Sequence, residues 1–379
     1  MTYRSEAEKY YDVMTTDRRY LHRIPEIQDD LPETKAYVLQ QLSEMSCEIK
    51  EYMQSGVTAY FDFGREKTLA FRCDMDALRI TEKNVCEFTS EHDGNMHACG
   101  HDGHMAMALG LAHYCEENSA LPVNVLIIFE PNEEGLGGAE ALCKTGILDE
   151  KNVDAVFGTH MWPFGEKGVV TVRPGAMMAQ SAEIDVRVRG KSAHAANRGD
   201  GIDAINASVE FMHYVAQMRR DETPDDEVTI ICMGKFHGGT MRNVLAGSAE
   251  MNGTMRGYNS VLFKHLQECI TDIADEIEHK TGAKFSVHFS DGYPPVINNP
   301  ELYEKISPVL EDEGAVLKEN PEMISDDFSF FGKYRPAIYF FLGTGTNEAL
   351  HTADFNFDEH VLISGLALYI ALVNKYTFL

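Results

Sequence analysis

The spacing of apolar and polar residues divides the first half of the chain into strands that alternate with helices. Continuous apolar runs of strand length end in polar loops, and the segments between them show helical spacing. Because alternating strands and helices form a mostly parallel sheet covered on both faces, this pattern predicts an α/β fold. The predicted elements are an amphipathic segment at 34–45, strands at 57–63, 68–73, 123–129, 153–158 and 168–172, and helices at 103–117 and 138–145.

The pattern changes near residue 178, where half-exposed alternating strands replace the buried runs. The order then becomes strand, helix, strand, strand, helix, strand, which is typical of a ferredoxin-like α+β domain with both helices on one face of its sheet. Helix–strand alternation returns after Pro294-Pro295, so the smaller domain is predicted to be an insertion. We expect the larger domain to span residues 1–178 and 291–379, and the inserted domain to span 179–290.

Length and composition favour a globular protein with more than one domain. The chain has 379 residues, more than a single hydrophobic core usually organises. No apolar run is long enough to cross a bilayer, and the charged residues 1–9 lack the apolar core of a secretion signal, so we expect a cytoplasmic protein. The eight cysteines are scattered without paired spacing, which favours reduced thiols over a disulfide framework.

Acidic residues far outnumber basic ones in this sequence. The formal charge of −27 repels phosphate backbones, and no basic stripe offsets it locally. Binding to nucleic acid is therefore disfavoured, and nothing in the sequence suggests a membrane partner. We expect the main partner to be a small-molecule substrate.

The run MHACGHDGH concentrates the side chains that bind metal ions. Cys99 and His101 flank Gly100, whose missing Cβ lets the backbone fold tightly enough to aim both side chains at one point. A single cysteine such as Cys99 is more often a buried inert thiol, but the imidazole two positions away favours a ligand. We expect His97 and His104 to support the ligands or to begin the helix rather than to bind metal.

Further donors come after other apolar runs. Glu133 and Glu134 come after one predicted strand, His160 after the next, and His351 after a strand predicted at 337–342. Taken singly, tandem acids are usually solvated and a buried histidine is usually a satisfied core residue, while Asp76, at another strand end, could simply cap a turn. Because sites in open parallel sheets form outside the carboxyl ends of the strands, we expect these side chains to converge.

The number of donors points to two metal ions. Cys99, His101, Glu134, His160 and His351 are too many ligands for one tetrahedral ion that keeps an open position. Two ions about 3.5–4 Å apart can share a water, lower its pKa and polarise a carbonyl oxygen. One of the tandem glutamates can bind metal while the other acts as general base, which suits hydrolysis of an amide.

With these residues in place, the chain resembles the co-catalytic metallopeptidases of the aminoacylase and carboxypeptidase type. It is most similar to their amidohydrolase branch, which includes auxin-conjugate hydrolases, hippurate hydrolase and N-acetyldiaminopimelate deacetylase. The resemblance covers nearly the whole chain. The matching motifs are LHRIPE from Leu21, RCDMDAL from Arg72, HACGHDGH from His97, EEG from Glu133, SAHAA from Ser192, GTMR from Gly253 and LHT from Leu350.

The resemblance implies a zinc-peptidase-like catalytic domain with an inserted lid and dimerisation domain. It implies that Glu133 is the general acid and base, and that Asp76 orients a ligand beside the site. Asp74 stands where the peptidase branch has a histidine ligand, which points to the branch that uses Cys-x-His. The implied metal ligands are Cys99, His101, Glu134, His160 and His351.

The same resemblance gives the inserted domain a role. In the family a histidine matching His194 reaches the site of the neighbouring subunit and stabilises the oxyanion. Arg256 matches an arginine that binds the substrate carboxylate, and Asn243 matches a polar substrate contact. Without the resemblance, His194 would be an ordinary exposed loop histidine and Arg256 a charge at a strand end.

The sequence thus predicts a two-domain metallohydrolase that cleaves the amide of N-acyl amino acids or related small conjugates. The alternatives are a dipeptidase or aminopeptidase on the same framework and a non-catalytic binding protein stabilised by metal. Mixed sulfur, nitrogen and oxygen ligands suit zinc, and manganese, cobalt or nickel can serve in such a site. We expect two divalent ions per subunit and a homodimer formed through the lid, or a higher homo-oligomer.

Overall fold

The computed structural model describes residues 2–376. The chain divides into two units, each with its own hydrophobic core. The larger unit comprises Met1–Met177, Ile297–Pro321 and Asp327–Leu379, and the smaller unit comprises Met178–Val296 and Glu322–Asp326.

The strands and helices are numbered in chain order. The strands are β1 (Glu48–Tyr52), β2 (Gly56–Phe61), β3 (Thr68–Asp74), β4 (Asn124–Glu130), β5 (Val153–Trp162), β6 (Val170–Val172), β7 (Gly175–Met178), β8 (Gln180–Arg189), β9 (Thr229–Gly238), β10 (Ser248–Gly257), β11 (Lys284–Phe289), β12 (Val296–Asn298), β13 (Val316–Leu317) and β14 (Ala337–Gly343). The helices are α1 (Arg4–Ala7), α2 (Tyr11–Arg23), α3 (Pro32–Leu42), α4 (His101–Glu117), α5 (Ala139–Lys144), α6 (Ile147–Glu150), α7 (Ala204–Glu222), α8 (Ser260–Thr281), α9 (Pro300–Asp312), α10 (Phe331–Tyr334) and α11 (Val361–Lys375).

The sheet of the larger unit has the strand order β1-β2-β4-β3-β5-β14-β6-β13. Its centre is parallel, because β4, β3, β5 and β14 pair in the same direction. Strands β3, β4 and β14 are buried along their whole length, as expected for strands covered on both faces. The antiparallel pairs lie toward the edges, at β1-β2, β2-β4 and β14-β6. The predicted α/β class is confirmed.

Helix α4 occupies the interior of the larger unit. It contacts α2, α11 and β3, and almost all of its residues are buried. Helix α11 is also apolar around most of its circumference, which is the composition of a buried helix. None of the helices formed by residues 2–376 combines the length and apolar character needed to cross a bilayer.

The smaller unit has an antiparallel sheet with the order β11-β8-β10-β9. In β8 buried and more exposed residues alternate, so one face of the strand lies against the core. Phe211 of α7 and Phe263 of α8 belong to that core. The order strand, helix, strand, strand, helix, strand is the one expected from the sequence pattern.

A short segment further along the chain also belongs to the smaller unit. Residues Glu322–Asp326, which sequence analysis places in the larger domain, group with the smaller one. The backbone N–H of Ala179 donates to the carbonyl oxygens of both Glu322 and Ile324, at 3.1 and 2.9 Å. These hydrogen bonds connect residues distant in sequence, so local patterning could not indicate them.

Helix α2 has no counterpart among the predicted elements. Its buried face includes Asp17, Arg18 and His22 together with Met14 and Leu21. Because three of these five buried positions are polar, the apolar periodicity that marks other helices is interrupted.

Candidate metal centre

Two of the predicted ligands lie at the start of α4. The helix begins at His101, two residues earlier than predicted, and Gly100 precedes it with φ +85°. A Cβ on Gly100 would lie 3.0 Å from Cγ of Met161, so both the left-handed backbone and the close packing favour glycine. Cys99 and His101 are both buried beside this turn.

The structure brings the five predicted ligands together. The Sγ atom of Cys99 lies 3.3 Å from Nε2 of His160 and 3.2 Å from Nε2 of His351. Oε1 of Glu134 lies 3.2 Å from the same nitrogen of His351 and 3.9 Å from Nε2 of His101. Donors from four separate stretches of the chain therefore meet at one point of the larger unit.

These donors form overlapping sets that fit metal binding. Cys99, His101 and His160 form one set and Cys99, Glu134 and His351 another, each with donor atoms within 4.8 Å of one another. Within residues 2–376, the buried Nε2 of His101 has no hydrogen-bond partner. A buried unpartnered nitrogen is costly unless it binds something, so its position supports a ligand role. The thiol of Cys99 belongs to both sets, so it would be a donor in either.

Backbone carbonyls orient two of the imidazoles. Nδ1 of His101 donates to the carbonyl oxygen of Asp76 at 2.7 Å, and Nδ1 of His160 donates to that of Met161 at 2.7 Å. In both rings Nε2 is then the unprotonated nitrogen, and it faces the other donors. This arrangement of the second nitrogen is typical of metal-binding histidines.

The side chain of Asp76 holds the tandem glutamates. Its two carboxylate oxygens accept the backbone N–H groups of Glu133 and Glu134 at 3.0 and 3.1 Å. Its Oδ1 lies 3.9 Å from Nδ1 of His101, so the hydrogen-bond acceptor for that ring is the Asp76 carbonyl rather than the carboxylate. Burial, together with the charge of Glu134, raises the pKa of Asp76 well above its ordinary value.

Asp74 and His104 lie behind the ligands. Nδ1 of His104 donates to Oδ1 of Asp74 at 2.6 Å, and Nε2 of His104 accepts the backbone N–H of Met161 at 2.9 Å. Both ring nitrogens are thus engaged, which agrees with a supporting role. Nη1 of Arg72 donates to the other oxygen of Asp74 at 2.7 Å. Sequence analysis assigned no role to Arg72, although a charged residue inside an otherwise apolar strand is an available signal.

The side chain of His97 is buried next to the ligand segment. Neither ring nitrogen has a hydrogen-bond partner in the part of the chain that the structure describes. Burial lowers its pKa to about 3, so the ring is neutral near pH 7. Within residues 2–376 the ring of His97 therefore has no hydrogen bond through which it would orient a ligand.

Burial sets the protonation of the donors before any cation binds. It lowers the pKa of His160 to about 3 and also lowers that of His101, so both rings are neutral and able to bind metal. For Glu134 burial opposes ionisation, but the contacts with His351 and His101 outweigh it and the pKa is lowered. Burial and the charge of Glu134 raise the pKa of Cys99, so a cation is needed to hold its thiolate.

The remaining predicted residues belong to the smaller unit. His194 is exposed at the start of a 3₁₀ helix, and its Nδ1 accepts the backbone N–H of Ala196 at 3.2 Å. Asn243 is exposed nearby, and its carbonyl oxygen accepts the N–H of Ala195 at 2.9 Å. Nη1 of Arg256 donates to the carbonyl oxygen of Met323 at 2.6 Å, which fixes the direction of its guanidinium.

The chain matches one known protein family over most of its length. The sequence profile described as peptidase family M20/M25/M40 matches residues 70–375. An uncharacterized hydrolase of Staphylococcus epidermidis is 32% identical over 376 residues, which cover 96% of this chain and 98% of the relative.

Two crystal structures are similar over nearly their whole length. A protein of methicillin-resistant Staphylococcus aureus, described as an aminohydrolase, has a TM-score of 0.92 and 29% identity, with 99% of this chain and 100% of the other covered. The YXEP protein of Bacillus subtilis, described as a dinuclear metal binding peptidase of the M20 family, has a TM-score of 0.84 and 27% identity, with 98% and 100% covered.

Proposed function

Because the chain belongs to peptidase family M20/M25/M40, we propose that it is an amidohydrolase that cleaves the amide bond of N-acyl amino acids or related small amino-acid conjugates. The observation that supports this most is the convergence of a thiol, three imidazoles and a carboxylate beside the buried carboxylate of Glu133. Such a donor set suits divalent cations that activate water.

The proposed ligands are Cys99, His101, Glu134, His160 and His351. Two divalent ions held there, zinc or manganese in our proposal, would lower the pKa of water and polarise the substrate carbonyl oxygen. The buried, neutral imidazoles supply nitrogen donors without having to lose a proton. The glycine turn and the Asp76 carbonyl fix where two of these donors point.

Glu133 is the proposed general base. A carboxylate oxygen of Glu133 lies within 4.8 Å of donor atoms of His101 and Glu134, and the residue is 8% exposed. The carboxylate of Asp76 holds the backbone N–H of Glu133, which limits movement of the base. From this position Glu133 would take a proton from the attacking water and return it to the leaving amine.

The smaller unit supplies the proposed substrate contacts. In our proposal Arg256 binds the carboxylate of the amino-acid product, since its planar guanidinium can form paired hydrogen bonds with a carboxylate. Asn243 is proposed as a further polar contact. We also propose a homodimer in which the exposed His194 stabilises the oxyanion in the site of the partner subunit.

Replacing Glu133 by Gln tests the catalytic role. We expect kcat toward N-acetyl amino acids to fall by about 10²–10⁴-fold, because the amide cannot accept the proton. Metal content, measured by elemental analysis, should stay at the wild-type level. Glu140→Gln, which changes a half-exposed glutamate of α5, is the matched control and should leave kcat unchanged. Wild-type kcat in Glu133→Gln would contradict the proposal.

A peptidase is the second candidate, because the relative from Bacillus subtilis is described as one. Comparing kcat/KM for N-acetyl amino acids with that for free dipeptides separates the two, since a peptidase must accommodate an ammonium group near the cations. Metal-dependent unfolding without hydrolysis of either class of substrate would instead favour a non-catalytic binding protein.

A further inference from the structure

Arg18 is a buried charged residue of α2 that the proposed chemistry does not use. Its side chain is 1% exposed, and it ranks among the largest fully buried side chains of the protein. Burying a guanidinium is costly unless its N–H groups are all directed at acceptors. The identity of those acceptors therefore indicates what the residue does.

One edge of the guanidinium contacts the segment that carries Cys99 and His101. Nε of Arg18 donates to Oδ2 of Asp102 at 3.1 Å, and Asp102 is the next residue after His101 in the first turn of α4. His22, one turn further along α2, has its Nδ1 2.8 Å from the same carboxylate oxygen. Helix α2 thus holds the first turn of α4 from the side.

The other edge contacts the segment just after His351. Nη2 of Arg18 donates to Oδ1 of Asn356 at 2.5 Å, and Nη1 donates to the carbonyl oxygen of Phe357 at 3.2 Å. The guanidinium carbon lies 3.9 Å from the centre of the Phe357 ring. A single planar group therefore joins two segments that each carry metal donors.

His351 depends on such support more than the other donors. Its side chain is 51% exposed, against 12% for that of Glu134, and its backbone has φ +60°. The imidazoles of His101 and His160 each donate from Nδ1 to a backbone carbonyl, whereas within residues 2–376 His351 has no such acceptor. The backbone N–H of His351 donates to the carbonyl oxygen of Ala98 at 2.9 Å. This hydrogen bond fixes the backbone at His351 but not the segment that follows it.

We propose that Arg18 is a positioning residue for the metal centre. Its guanidinium sets the distance between the Cys99–His101 segment and the His351 segment. This inference rests on the proposed function, since it concerns the same donors. Arg18 touches neither donor atoms nor substrate. It acts through Asp102 on one side and through Asn356 and Phe357 on the other.

The geometry explains why arginine is needed. Lysine could supply a charge to Asp102, but its ammonium is a single point and cannot span acceptors on two segments. Contacts made by residues behind metal ligands typically change metal affinity by about 10–100-fold. Loss of the guanidinium should therefore weaken metal binding even when the fold is retained.

The test uses Co²⁺ titration of the metal-free full chain, monitored by the thiolate-to-cobalt absorption band and the ligand-field bands. Arg18→Lys removes the planar guanidinium that forms the bridge. Asn356→Ala removes its hydrogen bond to Asn356 and leaves its contacts with the Phe357 carbonyl and, at 3.4 Å, with Oε1 of Glu359. Asn374→Ala is the matched control, because Asn374 is also partly buried and donates to Tyr114 and Ile370 within the larger unit. The unfolding temperature of each metal-free variant is measured in parallel.

We expect the dissociation constant of the more weakly bound Co²⁺ ion to rise about 10–100-fold in Arg18→Lys and Asn356→Ala, with altered ligand-field bands. Asn374→Ala should bind Co²⁺ with the affinity of the wild type, even if its unfolding temperature falls as much as that of Arg18→Lys and Asn356→Ala. If Arg18→Lys does not fold, Asn356→Ala decides the matter. Wild-type affinity and spectrum in the folded variants would overturn the positioning role alone, whereas absence of a thiolate band in the wild type would overturn the metal centre itself.

Discussion

At the residue scale, Asp17 shows how a buried acid affects stability. Its Oδ1 accepts the hydroxyl of Tyr37 at 2.7 Å, while Oδ2 has no hydrogen-bond partner within residues 2–376. Burial raises the pKa of Asp17 from 3.8 to about 6, although the Tyr37 hydrogen bond acts in the opposite direction. The folded protein thus retains a proton that the unfolded chain releases at lower pH.

Asp17→Asn should therefore stabilise the metal-free protein in a pH-dependent way. Because the pKa of Asp17 is raised on folding, its contribution to the free energy of unfolding is fully present below pH 3.8. That contribution is lost as the pH rises through about 6. Asparagine stays neutral, so the variant should gain up to about 3 kcal/mol over the wild type at pH 8 and almost nothing at pH 4.

Urea unfolding from pH 4 to pH 8 measures this difference. Asp12→Asn, an exposed position on the same helix, is the control and should show no comparable pH-dependent gain. A stability difference for Asp17→Asn that stays constant across this range would contradict the explanation.

At the element scale, the packing of α4 depends on a glycine. A Cβ on Gly103 would lie 2.6 Å from Cζ of Phe357 and 3.0 Å from Cε of Met161. Glycine inside a helix usually costs about 0.5–1 kcal/mol relative to alanine, so close approach of the aromatic ring is the reason for its presence. Gly332 of α10 is the opposite case, because its Cβ would meet nothing within 4 Å.

The two glycines predict opposite outcomes for the same substitution. Gly103→Ala should lower the free energy of unfolding by about 1–3 kcal/mol, since the added methyl group overpacks a buried contact. Gly332→Ala should be neutral or stabilising by up to about 1 kcal/mol. Chemical denaturation of both variants checks this prediction. Equal changes in the free energy of unfolding at the two positions would show that helix propensity alone determines the effect of the substitution.

The parallel strands were predictable because β3, β4 and β14 are runs of apolar residues ended by polar loops. Helix α2 was not, because its inward face carries charged residues whose partners are distant in the sequence. Contacts of Arg18 with α4 and with the segment after β14 exist only once the chain is folded.

The same distinction applies to the site. Motif spacing predicted two of the candidate metal ligands, since Cys99 and His101 share one turn. It could not indicate that the Asp76 carbonyl, rather than its carboxylate, accepts the His101 hydrogen bond, because that choice depends on backbone position.

At the scale of the whole molecule, the proposed metal ligands all belong to one of the two units. Removing metal with a chelator should therefore destabilise the larger unit alone, by about 3 kcal/mol when the free metal had been at 100 times its dissociation constant. Hydrogen exchange read by mass spectrometry should increase in the first turn of α4 and around His351. Helix α8, whose core is separate, should keep its protection.

Readdition of the metal should restore the protection of α4. Equal loss of protection in α8 would contradict the independence of the two cores.

The strip Glu322–Asp326 has a consequence for dissecting this protein. The backbone N–H of Ala179 donates to the carbonyl oxygens of Glu322 and Ile324, and the hydroxyls of Ser181 and Ser325 are hydrogen-bonded at 2.9 Å. The smaller unit is therefore completed by residues far downstream of its main segment. A gene fragment encoding only Met178–Val296 would lack the partners of the Ala179 backbone N–H and of the Ser181 hydroxyl, and both groups would be exposed to water. An excised or transplanted smaller unit would need Glu322–Asp326 supplied, for instance through a designed linker, to keep these hydrogen bonds.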